Sequence, residues 1–213
     1  MKKYTLIALS YLMAMTAFAA EPASSPELRG QLREIAGKYL KSQLVNPGPM
    51  VAPTRCWRPP TEVLLSEAKK EQAHGGKLFY LFAKDAESLR QKEKVKIQLA
   101  GQFLVKETWE AVPVPKGNNH RSSSEHASGQ YLANTVMKDG FRLTTGKPKD
   151  LYIMLKQSEA SDDNDAGWIY AVLSRDGQTV HKAGRIQSCI DCHEDAKHDR
   201  ILGNYAQPTW GVK

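Results

Sequence analysis

Cysteine is scarce in this 213-residue chain, which holds only Cys56, Cys189 and Cys192. Three thiols exclude a small fold stapled by several disulfides. Long apolar runs are missing after the first twenty residues, so no later segment is long enough to span a bilayer. Charge of one sign is only mildly in excess, at a formal +7. The basic residues are scattered rather than striped, which argues against a nucleic-acid partner. No internal repeat is visible.

What is present begins with "MKKYTLIALSYLMAMTAFAA". Lys2 and Lys3 form a positive start, an apolar run follows from Tyr4 to Ala17, and Ala17-Phe18-Ala19 offers small residues at a cleavage point. A membrane anchor is the alternative, but the run is short for a spanning helix. The expectation is a signal peptide over residues 1–19, cleaved after Ala19 or Ala20. Removing 19 of the 213 residues leaves 194 and takes Lys2 and Lys3 away, lowering the formal charge from +7 to +5. A chain of that length suits one domain, or one domain with an extension.

Residues 24–45 read as a helix. "SSPEL" supplies Ser caps, an early Pro and an early Glu, and Leu28, Leu32, Ile35, Tyr39 and Leu44 recur at helical spacing. "NPGPMVAPTRCWRPP" then stops the helix and forms an extended connector. Residues 20–60 therefore read as a helical and Pro-rich extension packed on a domain that covers 61–213. Within that domain the period changes. "KLFYLFA", "QFLVKETWEAV", "LYIMLKQ" and "WIYAVLS" are short runs rich in aromatic and β-branched residues. The last runs through Asp176-Gly177, a hairpin signal, into "TVHKAGR". Residues 120–129, "HRSSSEHASG", read as a polar loop. The fold class expected is α+β, an antiparallel sheet with flanking helices.

Near the C-terminus stands "SCIDCH", residues 188–193. Cys-x-x-Cys-His is the spacing of covalent haem attachment: Cys189 and Cys192 add to the vinyl groups, and His193 ligates the iron. A zinc site would need further ligands, and Cys56 alone cannot complete a four-Cys set. A redox Cys pair belongs near a βαβ pattern, not at the end of a sheet protein. One motif means one haem c. Its two propionates would lower the net charge to about +3, which leaves room for a weak encounter with an acidic redox protein. The leader and the haem motif together fit a bacterial periplasm. Cys56 is then alone in an oxidising compartment, either buried or in an intermolecular disulfide.

For the iron's opposite face the chain offers Met50, Met137, Met154, His74, His120, His126, His181 and His198. Met154 lies on "LYIML" and reads as core. His198 follows His193 too closely to reach round the ring.

"GQFLVKETWEAV", "AGWIYAVL" and "IQSCIDCHEDAKHDRILG", in that order, resemble the cytochrome P-460 family, which includes the cytochromes c′-beta. The resemblance covers about residues 74–207, with "HGGKLFYLF" similar to the family's first core strand. It implies a periplasmic, mostly β-sheet, commonly homodimeric protein with one c-type haem and an open distal iron site. It further implies a Lys bonded to the haem rim in the hydroxylamine- and nitric oxide-oxidising members, and no such bond in the gas-binding ones. The family's Lys matches Lys106, in "VKE". The extension with "CWRPP" and the loop 120–129 are not part of the family core.

Read without the family, alternation puts Leu104, Lys106 and Thr108 on one face of their strand, and Phe103, Val105, Glu107 and Trp109 on the other. That leaves Lys106 facing solvent or a cofactor, while Glu107 needs a partner if it is buried. Lys77 sits where family members can carry a basic distal residue. Phe79 and Phe82 read as core or as an apolar distal wall. Three functions compete: an oxidase of small nitrogen compounds that uses His193 and Lys106 and passes electrons to a soluble partner, a nitric oxide or carbon monoxide binder, and an electron carrier with a distal Met or His.

Overall fold

The computed structural model describes residues 24–45, 63–65, 76–91, 94–95, 97–117 and 123–202. The leader, Met50, Cys56, His74 and His120 lie outside the described residues.

Helix α1 spans Pro26–Lys38. The Ser25 hydroxyl caps it by accepting from Leu28 N–H at 3.2 Å, Pro26 occupies its first turn, and Lys38 closes its last. The helix expected over 24–45 is therefore shorter than its periodicity implied. One 3-10 turn, Tyr39–Lys41, follows, and strand β1, Gln43–Leu44, takes over. Leu44 stays on the core side in either geometry, so apolar spacing alone does not mark the change. The edge of a neighbouring strand supplies the backbone partners that favour extension.

The remaining elements are β2 (Leu64–Leu65), β3 (Leu78–Ala83), α2 (Ala86–Arg90), β4 (Phe103–Pro113), β5 (Ser123–Glu125) and β6 (Tyr131–Ala133). They continue with β7 (Thr135–Lys138), β8 (Phe141–Lys156), β9 (Trp168–Leu173), β10 (Val180–Gly184) and α3 (Gln187–His193). The main sheet runs β1-β3-β4-β8-β9-β10, with β2 also paired to β3 and β7 to β8. Every described pairing in it is antiparallel. This is the expected α+β class.

Strand alternation sorts the interior into two cores. One face of the sheet carries Leu78, Tyr80, Phe82, Val105, Ile153 and Ala171 against α1. The other carries Phe79, Leu81, Leu104, Met154, Trp168 and Tyr170 against Ile186 and Ile190 at α3. Helix α1 is fastened across the β9–β10 turn, where Arg29 Nη1 donates to the Val180 carbonyl at 3.2 Å and Arg33 Nε to that of Gln178 at 3.0 Å. Gly177 lies in that turn at φ +72°, and a Cβ there would come within 2.6 Å of the Ala36 Cβ. Glycine is required on both counts.

The polar segment 120–129 is not wholly a loop. Within its described part, β5 pairs with β6, and the His126 side chain turns inward to the α1-side core, 6% exposed. A buried acid waits for it there, so a tertiary partner overrides the local polarity.

Candidate haem site

Helix α3 delivers the motif. Cys189 and Cys192 are three residues apart and His193 is four from Cys189, so all three share one side of a single turn. Ile190, buried beside them, packs the helix on the sheet in the same core that Cys189 borders. His193 Nδ1 lies 2.7 Å from the Arg200 carbonyl oxygen. A carbonyl can only accept, so Nδ1 carries the proton and Nε2 keeps its lone pair. Burial is the largest influence on this imidazole and lowers its pKa, favouring the neutral form a metal needs.

Cys189 and His193 line a pocket whose far wall is the sheet. Lys106 from β4, Phe79 from β3, Tyr152 and Met154 from β8 and Tyr170 from β9 complete it. About 680 Å³ of atom-free space lies within it, its open mouth included. Apolar walls, the Cys189 thiol in the lining with Cys192 one turn on along the same helix, and an imidazole nitrogen with its lone pair available suit a haem. Among the described residues no group of three or more His, Cys, Asp or Glu is placed to hold a metal ion without such a ring.

Lys106 thus faces the pocket and not solvent. Its Nζ sits 3.9 Å from the centre of the Phe79 ring. Burial, with a smaller contribution from the nearby Lys77 charge, lowers its pKa to about 7. A substantial fraction of the amine is therefore unprotonated, and so nucleophilic, at neutral pH. Tyr152 stands opposite Lys106 across the strand pair and accepts from Lys77 Nζ at 3.0 Å. Phe79 lines the pocket, whereas Phe82, three residues on, faces the other core and stacks on His126.

The distal candidates separate cleanly. His126 is on the α1 side of the sheet, bound to Glu107. His181, on β10, is exposed, 4.0 Å from Asp150. Met137, on β7, is 59% exposed. Met154 alone of the described candidates lines the pocket; it is also packed, as expected, against the core on the α3 side of the sheet.

Glu107 finds its partners on the opposite face: Tyr39 Oη at 2.9 Å, His126 Nε2 at 2.7 Å and the Arg175 guanidinium. A second buried polar group supports His193. Asp165 accepts from Arg200 and from Tyr170, and Lys156 pairs with Asp199. None of these is evident from sequence, because no local pattern links residues 156, 165 and 199.

An antiparallel sheet with this helix and pocket on one face defines a haem-binding α+β protein. The chain belongs to the cytochrome P460 family, whose model matches residues 59–202. Membership makes it a haem cytochrome. No curated protein matches the chain.

Proposed function

We propose that the chain is an exported monohaem cytochrome that binds or oxidises small nitrogen compounds, such as hydroxylamine and nitric oxide, at an open iron site. The observation that supports this best is the convergence of Cys189, His193 and Lys106 on one apolar pocket. Cys189 and Cys192 would hold a haem as thioethers, and His193 would supply a nitrogen ligand to its iron. Haem bound there provides an iron that coordinates small ligands and exchanges single electrons. The apolar sheet wall would favour a ligand of a few atoms over a bulky polar one. Lys106 reaches the same space, and a bond from its amine to the haem rim would favour oxidation, whereas an unlinked Lys106 would favour gas binding. A soluble acceptor takes the electrons if the protein turns over. A homodimer and a periplasmic location complete the reading, the latter supported by the leader sequence.

Met154 favours a second reading. A thioether in the pocket could ligate the iron opposite His193 and make an electron carrier. Absorption and resonance Raman spectra of the resting and reduced protein decide. High-spin, five-coordinate ferrous iron that takes up nitric oxide is the expected result. Low-spin, six-coordinate iron in both states would overturn it.

A further inference from the structure

Arg200 presents its carbonyl to His193 from an uncommon backbone. Asp199 and Arg200 both have positive φ, +43° and +65°, and neither is glycine. Such conformations persist only where their surroundings over-determine them. Two ion pairs do so, the first buried and the second half-buried on its Arg200 side. Asp199 Oδ1 pairs with Lys156 Nζ at 2.8 Å, and its Oδ2 accepts from Gln98 N–H at 2.7 Å. Arg200 Nη2 pairs with Asp165 Oδ1 at 2.8 Å, and Nε joins it at 3.0 Å. The second Asp165 oxygen accepts from Tyr170 Oη at 2.8 Å, and Arg200 Nη1 donates to the Glu194 carbonyl at 3.0 Å. Lys156 ends β8 and Asp165 precedes β9, so both grips come from the two ends of one connection. They close on the two residues that set the direction of one carbonyl.

We infer that Asp165 and Asp199 are positioning residues for the iron's axial imidazole, acting through the Arg200 carbonyl. This rests on the reading of His193 as the iron ligand. A firm hydrogen bond from Nδ1–H makes the imidazole a stronger donor, which strengthens the iron–nitrogen bond and favours the ferric state. Tyr170, whose ring centre is 5.4 Å from that of His193, couples the pocket wall to the same acid. The clamp thereby lets the sheet tune a ligand carried on a separate helix.

The test uses the haem-loaded protein and its Asp165→Asn, Asp199→Asn and Tyr170→Phe variants. The readouts are the iron–imidazole stretching band of the ferrous form and the ferric-to-ferrous ratio at a fixed solution potential. Asp165→Asn and Asp199→Asn are expected to lower the band frequency and to shift the ratio several-fold toward ferrous. Asp165→Glu should restore part of both. Tyr170→Phe, which removes one hydrogen bond and keeps the ring, should shift both by less. It carries the test if the Asp variants fail to fold. Glu107→Gln, in the other core, should lower thermal stability and leave the band in place. Lower stability with an unmoved band and ratio in the Asp165, Asp199 and Tyr170 variants would overturn the inference alone. A wild-type protein with no bond between His193 and iron would overturn the functional reading and the inference together.

Discussion

Lys106 and Glu107 are adjacent in β4 and serve opposite faces of one sheet: the amine lines the pocket that Cys189 and His193 also line, and the carboxylate lies in the α1-side core, 1% exposed. The Glu107 charge is matched by Arg175 and completed by Tyr39 and His126. Removing one partner of a buried ion pair strands the others. Glu107→Ala should therefore cost about 3 kcal/mol of stability, measured by denaturant unfolding, and leave the haem spectrum unchanged. A spectral shift without loss of stability would contradict this separation of faces.

If Cys189 and Cys192 hold a haem as thioethers, its behaviour in the denatured protein follows. With Cys189 and Cys192 intact, haem should remain with the chain after denaturation and acid extraction. Replacing both with Ser should release it. An intact mass equal to that of apoprotein, from a host able to mature c-type cytochromes, would defeat the prediction.

A Lys106 bond to the haem would leave a distinct digestion product. The expected tryptic haem peptide joins sequence around Lys106 to sequence around Cys192. Lys106→Leu should yield only the Cys189–Cys192 haem peptide and abolish hydroxylamine-dependent reduction of an artificial acceptor. If wild-type protein also yields only the latter peptide, the link is absent and gas binding is the better reading.

The Lys106 amine also predicts a pH dependence. Its pKa falls from 10.5 to about 7 on folding, chiefly by burial. Between those values the unfolded chain binds the extra proton, so stability rises with pH across that window. In protein whose Lys106 is unlinked, unfolding free energy should climb from pH 7 toward 10.5, and Lys106→Leu should flatten the climb. Equal slopes in both proteins would remove burial of this amine as the cause.

Much of this was legible before the fold. Alternation in "QFLVKETWEAV" separated Lys106 from Glu107, and Asp176-Gly177 marked the β9–β10 turn. The motif spacing marked the candidate haem site, but not the helix, α3, that carries it. What escaped lay in tertiary partnership. The first half of β8, "FRLTTGKPKD", contains Gly146 and Pro148 and has no apolar alternation, yet it pairs with β7 and β4. His126 sits in a Ser-rich stretch and turns inward only because Glu107 is across the core. Asp165, Asp199 and Arg200 look like ordinary surface charges, and the burial of the two carboxylates and their pairing depend on the β8–β9 connection folding over the segment after α3.

Met154 supplies the sharpest division between the remaining readings. It projects from β8 on the same face as Lys106 and Tyr170 and lines the pocket with His193. A thioether is a weak ligand that raises the potential when it binds haem iron. If it ligates, Met154→Leu should convert low-spin iron to high-spin and open the site to nitric oxide. If the site is already open, the same substitution preserves volume and apolarity. The expected outcome is the second: wild type and Met154→Leu should show the same five-coordinate ferrous spectrum and bind nitric oxide alike. A spin-state change on substitution would assign Met154 to the iron and make electron transfer the function.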